Sequence, residues 1–346
     1  VQSGLPKKAE TVYGKFLTRW WVGKTIAPCL FKSLAKGKKM ALYKQNGIKL
    51  ETIDEIPFKL EKDIQTICEK NLKSLLGIDF VRSEFKIGNF RIDSLAFDNA
   101  LQSFIIIEYK RDKNFSVIDQ GVTYLSLMLN NKADIVLEFN ELTGKNLKRN
   151  DVDWSQSKVI FVSPSFTSYQ KEASNFRNLP IELWEIRQFS NSTLAFNQVV
   201  TKNSVESINT ITKSSEEIEA VAKEIKVYSE DDHLQNGSPE TNELYNKLKF
   251  YILNMADDIQ VRPTKLYIGF ITSTNFCDVA IQKKTLKIWI NLAKGELDDH
   301  KGIARDVSGI GHHGNGDYEI QISDDSNLEY IVSLVKSSYS IVKSKK

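Results

Sequence analysis

Residues 104–107 read Phe-Ile-Ile-Ile, an unbroken apolar run with Ser103 before it and Glu108-Tyr-Lys110 after it. A strand with no polar alternation needs cover on both faces, which is the situation of a central strand between helical layers. The run therefore predicts a strand over Ser103–Tyr109 inside an α/β layered domain. Its flanks extend the pattern. Phe58–Leu76 carries Leu60, Ile64, Ile67, Cys68, Leu72 and Leu75 at helical spacing and stops at Gly77. Phe80–Ile87 alternates as a strand, Gly88-Asn89 turns tightly into Phe90–Phe97, and Asn99–Leu101 turns again into the apolar run. After the polar loop Lys110–Asn114, Ser116 and Asp119 can cap a helix running to Asn130, and 133–149 is ambiguous in pattern, with helix preferred. Lys158–Val162 is an expected strand, Tyr169–Phe176 a helix and Ile181–Phe189 a strand. The order is α-β-β-β-α, then β-α-β, about a mixed sheet.

A chain of 346 residues with 41% hydrophobic and 26% charged residues is long enough for more than one domain. That composition excludes disordered, collagen-like and coiled-coil classes. No apolar run approaches the ~18–20 residues of a membrane span. Cys29, Cys68 and Cys277 are scattered and odd in number, which points to a reducing, cytoplasmic setting rather than a disulfide framework or zinc knuckle. The net charge of +3 is uneven: residues 1–39 hold nine Lys/Arg against Glu10 alone, and the remainder is net acidic. Any nucleic-acid surface must then be a local patch. Met40 follows the basic run and is the expected natural start, with 1–39 a basic extension that need not be native. Its aromatic, basic stretch Tyr13–Lys36 also suits a membrane-surface or targeting segment. Gly23-Lys24-Thr25 looks like the tail of a phosphate loop, but Thr18 stands where the first glycine is required.

Chemistry concentrates in Arg91-Ile-Asp93 and Glu108-Tyr-Lys110. Glu108 and Lys110 lie two apart on one strand and share a face. If the two strands pair through the 99–101 turn, Asp93 and Glu108 converge at their shared end. Two carboxylates there cost several kcal/mol unless paired or metal-bound, and a hard cation such as Mg²⁺ with water would satisfy them. Glu61 on the first helix can approach the same point, with Glu69 a weaker candidate two turns on. Gln120 and Tyr124 share a helix face at i, i+4. Lys110 can polarise an attacking water or balance phosphate charge.

Over residues 55–190 the chain resembles the PD-(D/E)xK nuclease superfamily, through Glu61, Arg91-Ile-Asp93, Ile107-Glu-Tyr-Lys110 and Gln120-x-x-x-Tyr124. The last pair looks like the signature of the RecB-like branch, and the whole is most similar to the group with archaeal mismatch- and branch-cutting endonucleases. The resemblance implies a restriction-endonuclease-like αβββαβ core with Asp93, Glu108 and Lys110 catalytic and Glu61 and Gln120 supporting. Asp93, Glu108 and Glu61 would hold Mg²⁺, with Mn²⁺ a substitute. Ile92 replaces the proline of the superfamily's name, and Asp98 is an additional acid without an assigned role. The implied reaction is metal-assisted phosphodiester hydrolysis. DNA is the expected partner in repair or foreign-DNA defence, RNA the second, and a homodimer would cut both strands of a duplex. Lys86, Arg91, Arg111, Lys113 and Tyr124 are candidates for holding the strand, and Trp154 either stacks on a base or packs.

The expected domains are 40–198 for the nuclease-like part, 199–240 for a polar linker with some helix, and 241–346 for a smaller α+β domain. In that last domain, helix Glu243–Met255 precedes strands near Leu266–Thr272, Cys277–Gln282, Leu286–Leu292 and Tyr318–Ile322, and Ser326-x-x-Glu329 suits a capping box on a closing helix. His312, His313 and Asp317, in a glycine-rich loop, are candidate metal or anion ligands, with a flexible turn between a helix and a strand as the plain reading. The domain resembles a family of unknown function found behind nuclease-like domains, and is expected to serve recognition or docking. The alternative for the whole chain is a non-catalytic nucleic-acid or ligand-binding protein that keeps the fold.

Overall fold

The computed structural model describes residues 41–344 apart from Asn89, Asn114, 175–178, 201–215 and His312; of the side chains at 216–219 nothing is described either. The basic extension 1–39, its boundary at Met40 and the His312 assignment therefore lie outside the described residues. The chain divides into two compact units, Val1–Ile53 and Asp54–Lys346. In the first, the described residues form an antiparallel hairpin of β1 (Leu42–Asn46) and β2 (Lys49–Ile53), mostly exposed, turning at Gly47. The sequence pattern did not announce it, because neither strand has a buried face.

The second unit begins with β3 (Glu55–Ile56) and α1 (Glu61–Leu76). The main-chain N–H of Leu60 is taken by the Asp63 carboxylate at 2.9 Å, and Gly77 closes α1 with φ +72 and its N–H on Lys73 O. Then come β4 (Asp79–Ile87), β5 (Phe90–Asp98), β6 (Ser103–Tyr109), α2 (Val117–Asn130) and α3 (Lys132–Thr143). The helix expected over 133–149 stops early, at Gly144 in the left-handed conformation, and Asn140 holds both the N–H and the carbonyl of Leu147 to shape the loop that follows. β7 (Lys158–Ser163), α4 (Ser168–Ala173), β8 (Ile181–Phe189) and β9 (Leu194–Gln198) complete the layer.

These strands form a seven-stranded sheet in the order β3-β8-β7-β6-β5-β4, with β9 also on β8. β4, β5 and β6 are antiparallel neighbours, whereas β6, β7 and β8 run parallel. The sheet is mixed, and the order α-β-β-β-α-β is present as expected. Every residue of β6 is buried. Phe104 and Ile106 pack toward α2 and α3, and Ile105, Ile107 and Tyr109 pack toward α1 through Ile64, Cys68 and Leu72. Each fully buried isoleucine stabilises this arrangement by ~1.5–3 kcal/mol.

Part of the expected linker is packed rather than free. α5 (Glu216–Glu224) puts Val221, and Ile225 just beyond it, into the core under α2. A second α+β layer follows: α6 (Glu230–Leu234), α7 (Pro239–Leu253), β10 (Gln260–Pro263), β11 (Ile268–Ile271), β12 (Asn275–Ile281), β13 (Leu286–Ile290), β14 (Arg305–Asp306), β15 (Tyr318–Ile322) and α8 (Leu328–Ser344). Its six-stranded sheet is antiparallel throughout, in the order β10-β11-β12-β13-β15-β14. Ser326 does not form the expected capping box. Its N–H and hydroxyl both go to Asp324. The two layers are tied at the β5–β6 turn, where Arg262 reaches Asp98 at 2.7 Å and the Tyr267 hydroxyl donates to Ala100 O at 2.9 Å. Asp98 also takes the N–H groups of Ala100 and Leu101, so the unassigned acid is a turn-former and an anchor for the second layer. Among the described residues no helix is long and apolar enough to cross a membrane.

Candidate functional site

Strand register places the two carboxylates. The last ladder pair between β5 and β6 is Ser94↔Ile107, so the next residues, Asp93 and Glu108, face each other at the ladder's end. Asp93 Oδ2 accepts the Tyr109 N–H at 2.9 Å, which fixes its side chain across the strand end. Glu108 is buried, and its Oε1 accepts from Lys110 Nζ at 2.7 Å and the Tyr124 hydroxyl at 3.1 Å. Glu108 Oε2 is buried with no hydrogen-bond partner among the described residues. Burial raises the Asp93 carboxyl to about 7, and the adjacent Glu108 charge pushes the same way. Burial alone would lower Lys110, but its hydrogen bond and charge contact with Glu108 outweigh that and hold it protonated.

A backbone irregularity aims Asp93. Between Ser83↔Ser94 and Phe85↔Ile92 the β4–β5 ladder omits the Glu84/Asp93 pair, and Glu84 has φ +53. Strict alternation would put Phe85 with Ser83 and Ile92 with Ser94. Instead Ser94 bonds Glu69 of α1 at 2.7 Å, while Phe85 and Ile92 join the core under α2. The hairpin changes face at Glu84 and Asp93, as a bulge does, and frees Asp93 from the ladder. Gln65 of α1, buried, braces the strand there: its Nε2 lies 3.0 Å from Asp93 O, 3.2 Å from Ser83 Oγ and 2.8 Å from Glu69 Oε1.

From the other side, α2 presents Gln120 and Tyr124. It can lie close because Gly121 faces β8: a Cβ there would sit 2.3 Å from Ile181 Cδ1. Gln120 Oε1 is another buried oxygen without a hydrogen-bond partner among the described residues. Glu61 stands at the C-terminal end of β6, where it accepts the Arg111 N–H at 2.8 Å. The Arg111 guanidinium caps the entry to α1, with Nη1 on Lys59 O at 2.7 Å, and pairs with Asp112. Arg91 pairs with Glu84, whereas Lys86 and Lys113 are exposed and their ammonium groups make no ion pair among the described residues. Trp154 is packed, stacked on Phe104 at 5.5 Å. Sequence reading missed Gln65 and Glu84, whose roles depend on a main-chain kink that no spacing announces.

The donor set is all oxygen. Among the described residues no three His, Cys, Asp or Glu side chains gather closely enough to hold a metal ion. Of the expected ligands Asp93, Glu108 and Glu61, the first two face each other at the ladder's end, while Glu61 is engaged by the Arg111 N–H. A cation here would be held by Asp93 and Glu108 with main chain or water completing its shell, which suits Mg²⁺ better than zinc. The unpartnered Glu108 Oε2 and the raised Asp93 carboxyl both fit such an ion. Two concavities, about 950 and 780 Å³, lie elsewhere: one beside α7 and α8, the other between the layers near Asp98, Glu182 and Arg262.

The glycine-rich loop of the second layer is organised by an acid rather than by its histidines. Asp278, fully buried, takes Asn275 Nδ2 at 2.8 Å, Asn291 Nδ2 at 3.1 Å, and Asn315 N and Nδ2 at 2.9 and 2.8 Å. Gly314 and Gly316 let the loop lie against β13; added Cβ atoms would meet Trp289 Cγ at 2.3 Å and Ile290 O at 1.9 Å. Asp317 accepts the Lys294 N–H at 2.8 Å, and His313 is exposed. The loop follows β14, not a helix, and these bonds hold Asn315 and Asp317 within it.

Residues 230–342 match a domain of unknown function, DUF5655, from the first residue of α6. Over 299 residues the chain is 51% identical to an uncharacterized protein of Haemophilus influenzae, covering 86% of this chain and 99% of that protein. A repair endonuclease from Pyrococcus abyssi overlaps at 19% identity with a TM-score of 0.21, over 35% of this chain and 45% of that one, less than half its length. SfsA of Pyrococcus furiosus in complex with Ca²⁺ overlaps at 16% identity with a TM-score of 0.22, over 48% of this chain and 73% of that one. Both overlaps are partial, and the fold is read from the chain's own strand order. The chain belongs to the family of the uncharacterized Haemophilus influenzae protein and carries a DUF5655 domain in its C-terminal part.

Proposed function

We propose that this chain is a metal-dependent nuclease of the PD-(D/E)xK kind, hydrolysing phosphodiester bonds in DNA, with Asp93, Glu108 and Lys110 at its centre. The observation that carries the reading is the pair itself. Two carboxylates meet at a strand end, one with an unpartnered buried oxygen and the other raised to about 7 by burial and by its neighbour. Holding both charged side by side is unfavourable, and a cation between them would relieve the repulsion. A bound Mg²⁺ would supply Lewis-acid stabilisation of the phosphate and a more acidic water.

The chain's own groups do the rest. Tyr109 N–H fixes the Asp93 carboxylate, and Tyr124 fixes Glu108. Lys110, held protonated 2.7 Å from Glu108, places a positive charge where the scissile phosphate gathers negative charge. Lys86 and Lys113 are free to meet backbone phosphates, a sequence-blind and salt-sensitive contact. Arg111 is committed to the entry of α1 and serves the site by placing Glu61 beside β6.

The test is cleavage of labelled linear, branched and single-stranded DNA, and of RNA, with Mg²⁺, Mn²⁺ or chelator. Metal-dependent cutting should vanish in Asp93→Ala and Glu108→Ala. Equal behaviour of wild type and both variants on every substrate would leave a binding protein that has kept the fold.

A further inference from the structure

Beside Asp93 lies a charged knot that the proposed reaction does not use. Lys62 of α1 and Arg91 of β5 converge on one carboxylate, Glu84 of β4. Lys62 Nζ is 3.0 Å from Oε1 and Arg91 Nε is 2.9 Å from Oε2. Glu84 does this from φ +53, a left-handed conformation that costs a non-glycine residue, and from the position where β4 and β5 unpair. The side chains of Lys62, Arg91 and Glu84 are 54%, 63% and 33% exposed, so these ion pairs are weakly held and open to competition. Lys62 is also the link to the site: its Nζ donates to Gln65 Oε1 at 3.0 Å, and Gln65 Nε2 lies 3.0 Å from Asp93 O.

A phosphodiester group offers what the carboxylate offers, one negative charge on two oxygens, and an Arg–Lys pair is a common way to grip it. Lys86 lies cross-strand from Arg91 and continues the basic strip toward the hairpin tip.

We propose that Lys62 and Arg91 form a subsite for a nucleic-acid backbone phosphate next to the one being cut, and that Glu84 is its resting occupant, displaced when the strand binds. This rests on the nuclease reading of Asp93 and Glu108. Through Gln65, filling the subsite with phosphate is coupled to the main chain that carries Asp93.

A double-mutant cycle on the full chain tests it, read as fluorescence anisotropy of labelled duplex DNA, single-stranded DNA and RNA in Ca²⁺. The proteins are wild type, Glu84→Gln, Lys62→Ala with Arg91→Ala, and all three changes together. Releasing two exposed ion pairs should tighten binding about five- to tenfold in Glu84→Gln. The paired alanine variant should bind at least about tenfold more weakly, and in that background Glu84→Gln should gain nothing. Glu84→Gly, which also relieves the left-handed backbone, should repeat the gain and guard against a folding artefact. A gain that survives without Lys62 and Arg91 would make Glu84 a general repulsive charge and overturn the proposal. So would no gain, or no binding by any of these proteins. Asp93-dependent cleavage with a flat cycle would remove this subsite and leave the nuclease standing. An intact cycle without cleavage would do the reverse.

Discussion

Each of the two layers buries an aspartate in a sheet, and the two are treated differently. Asp278 is fully buried and takes four hydrogen bonds from three asparagines. Burial raises its carboxyl, and those bonds work against the rise. Asp93 accepts the Tyr109 N–H and faces a second acid whose Oε2 has no hydrogen-bond partner among the described residues. The first acid has its donors supplied by the fold and organises a loop. The second is left short of donors beside a like charge, a cost that a proton or a cation would relieve. In this chain, the hydrogen-bond inventory separates Asp278 from Asp93 better than burial does.

That separation predicts opposite consequences for similar substitutions. Asp93→Ala and Glu108→Ala should each lower cleavage ~10³-fold or more, as loss of a metal carboxylate removes several kcal/mol of transition-state stabilisation, while thermal stability holds or rises. Asp278→Ala should do the reverse. Stranding the asparagine donors should cost ~3 kcal/mol, seen as a lower denaturant midpoint, while cleavage per folded molecule persists.

The pH response separates the two acids further. The Asp93 value of about 7 in the folded protein lies above the ordinary ~4 of the unfolded chain. Between those values the folded state holds a proton that the unfolded chain has lost, so stability from this group is full at low pH and falls as pH rises toward 7. In chelator, wild type should lose ~2 kcal/mol between pH 5 and pH 8, and Asp93→Asn should flatten that slope. A slope unchanged by the substitution would mean that Asp93 is not strained by its surroundings. The smallest effect is expected at the tie between layers. Arg262→Ala should cost ~1–2 kcal/mol, because Asp98, which is 3% exposed at its side chain, keeps the Ala100 and Leu101 N–H bonds. Both layers melting together after this change would show that Tyr267 and the remaining packing suffice to hold them.

The parts of the fold that sequence made visible are those with a strong burial pattern. The strands at Ser103–Tyr109, Ile181–Phe189 and Tyr318–Ile322 stand where apolar residues predict them. β1, β2 and β14 were invisible because they are short, mostly exposed strands with no apolar period. The meeting of Asp93 and Glu108 was legible because register across a short turn is determined by pairing arithmetic. Glu84 and Gln65 were not, since their contacts depend on a kink in which a hairpin changes face. In the second layer the histidines drew attention as possible ligands, but the loop is held by Asp278 and Asn315, ordinary residues with no distinctive spacing. Of the loop's glycines, Gly314 and Gly316 permit close packing on β13.

The most direct measurement is isothermal titration of Mg²⁺ and Mn²⁺ into the full chain, run in two buffers of different protonation enthalpy near pH 6.5. Saturable binding that releases protons, and that is lost in Asp93→Ala and Glu108→Ala but kept in Asp278→Asn, is the predicted result. Binding that is absent from wild type, or equal in wild type and both carboxylate variants, would contradict the assignment of Asp93 and Glu108 as a cation site.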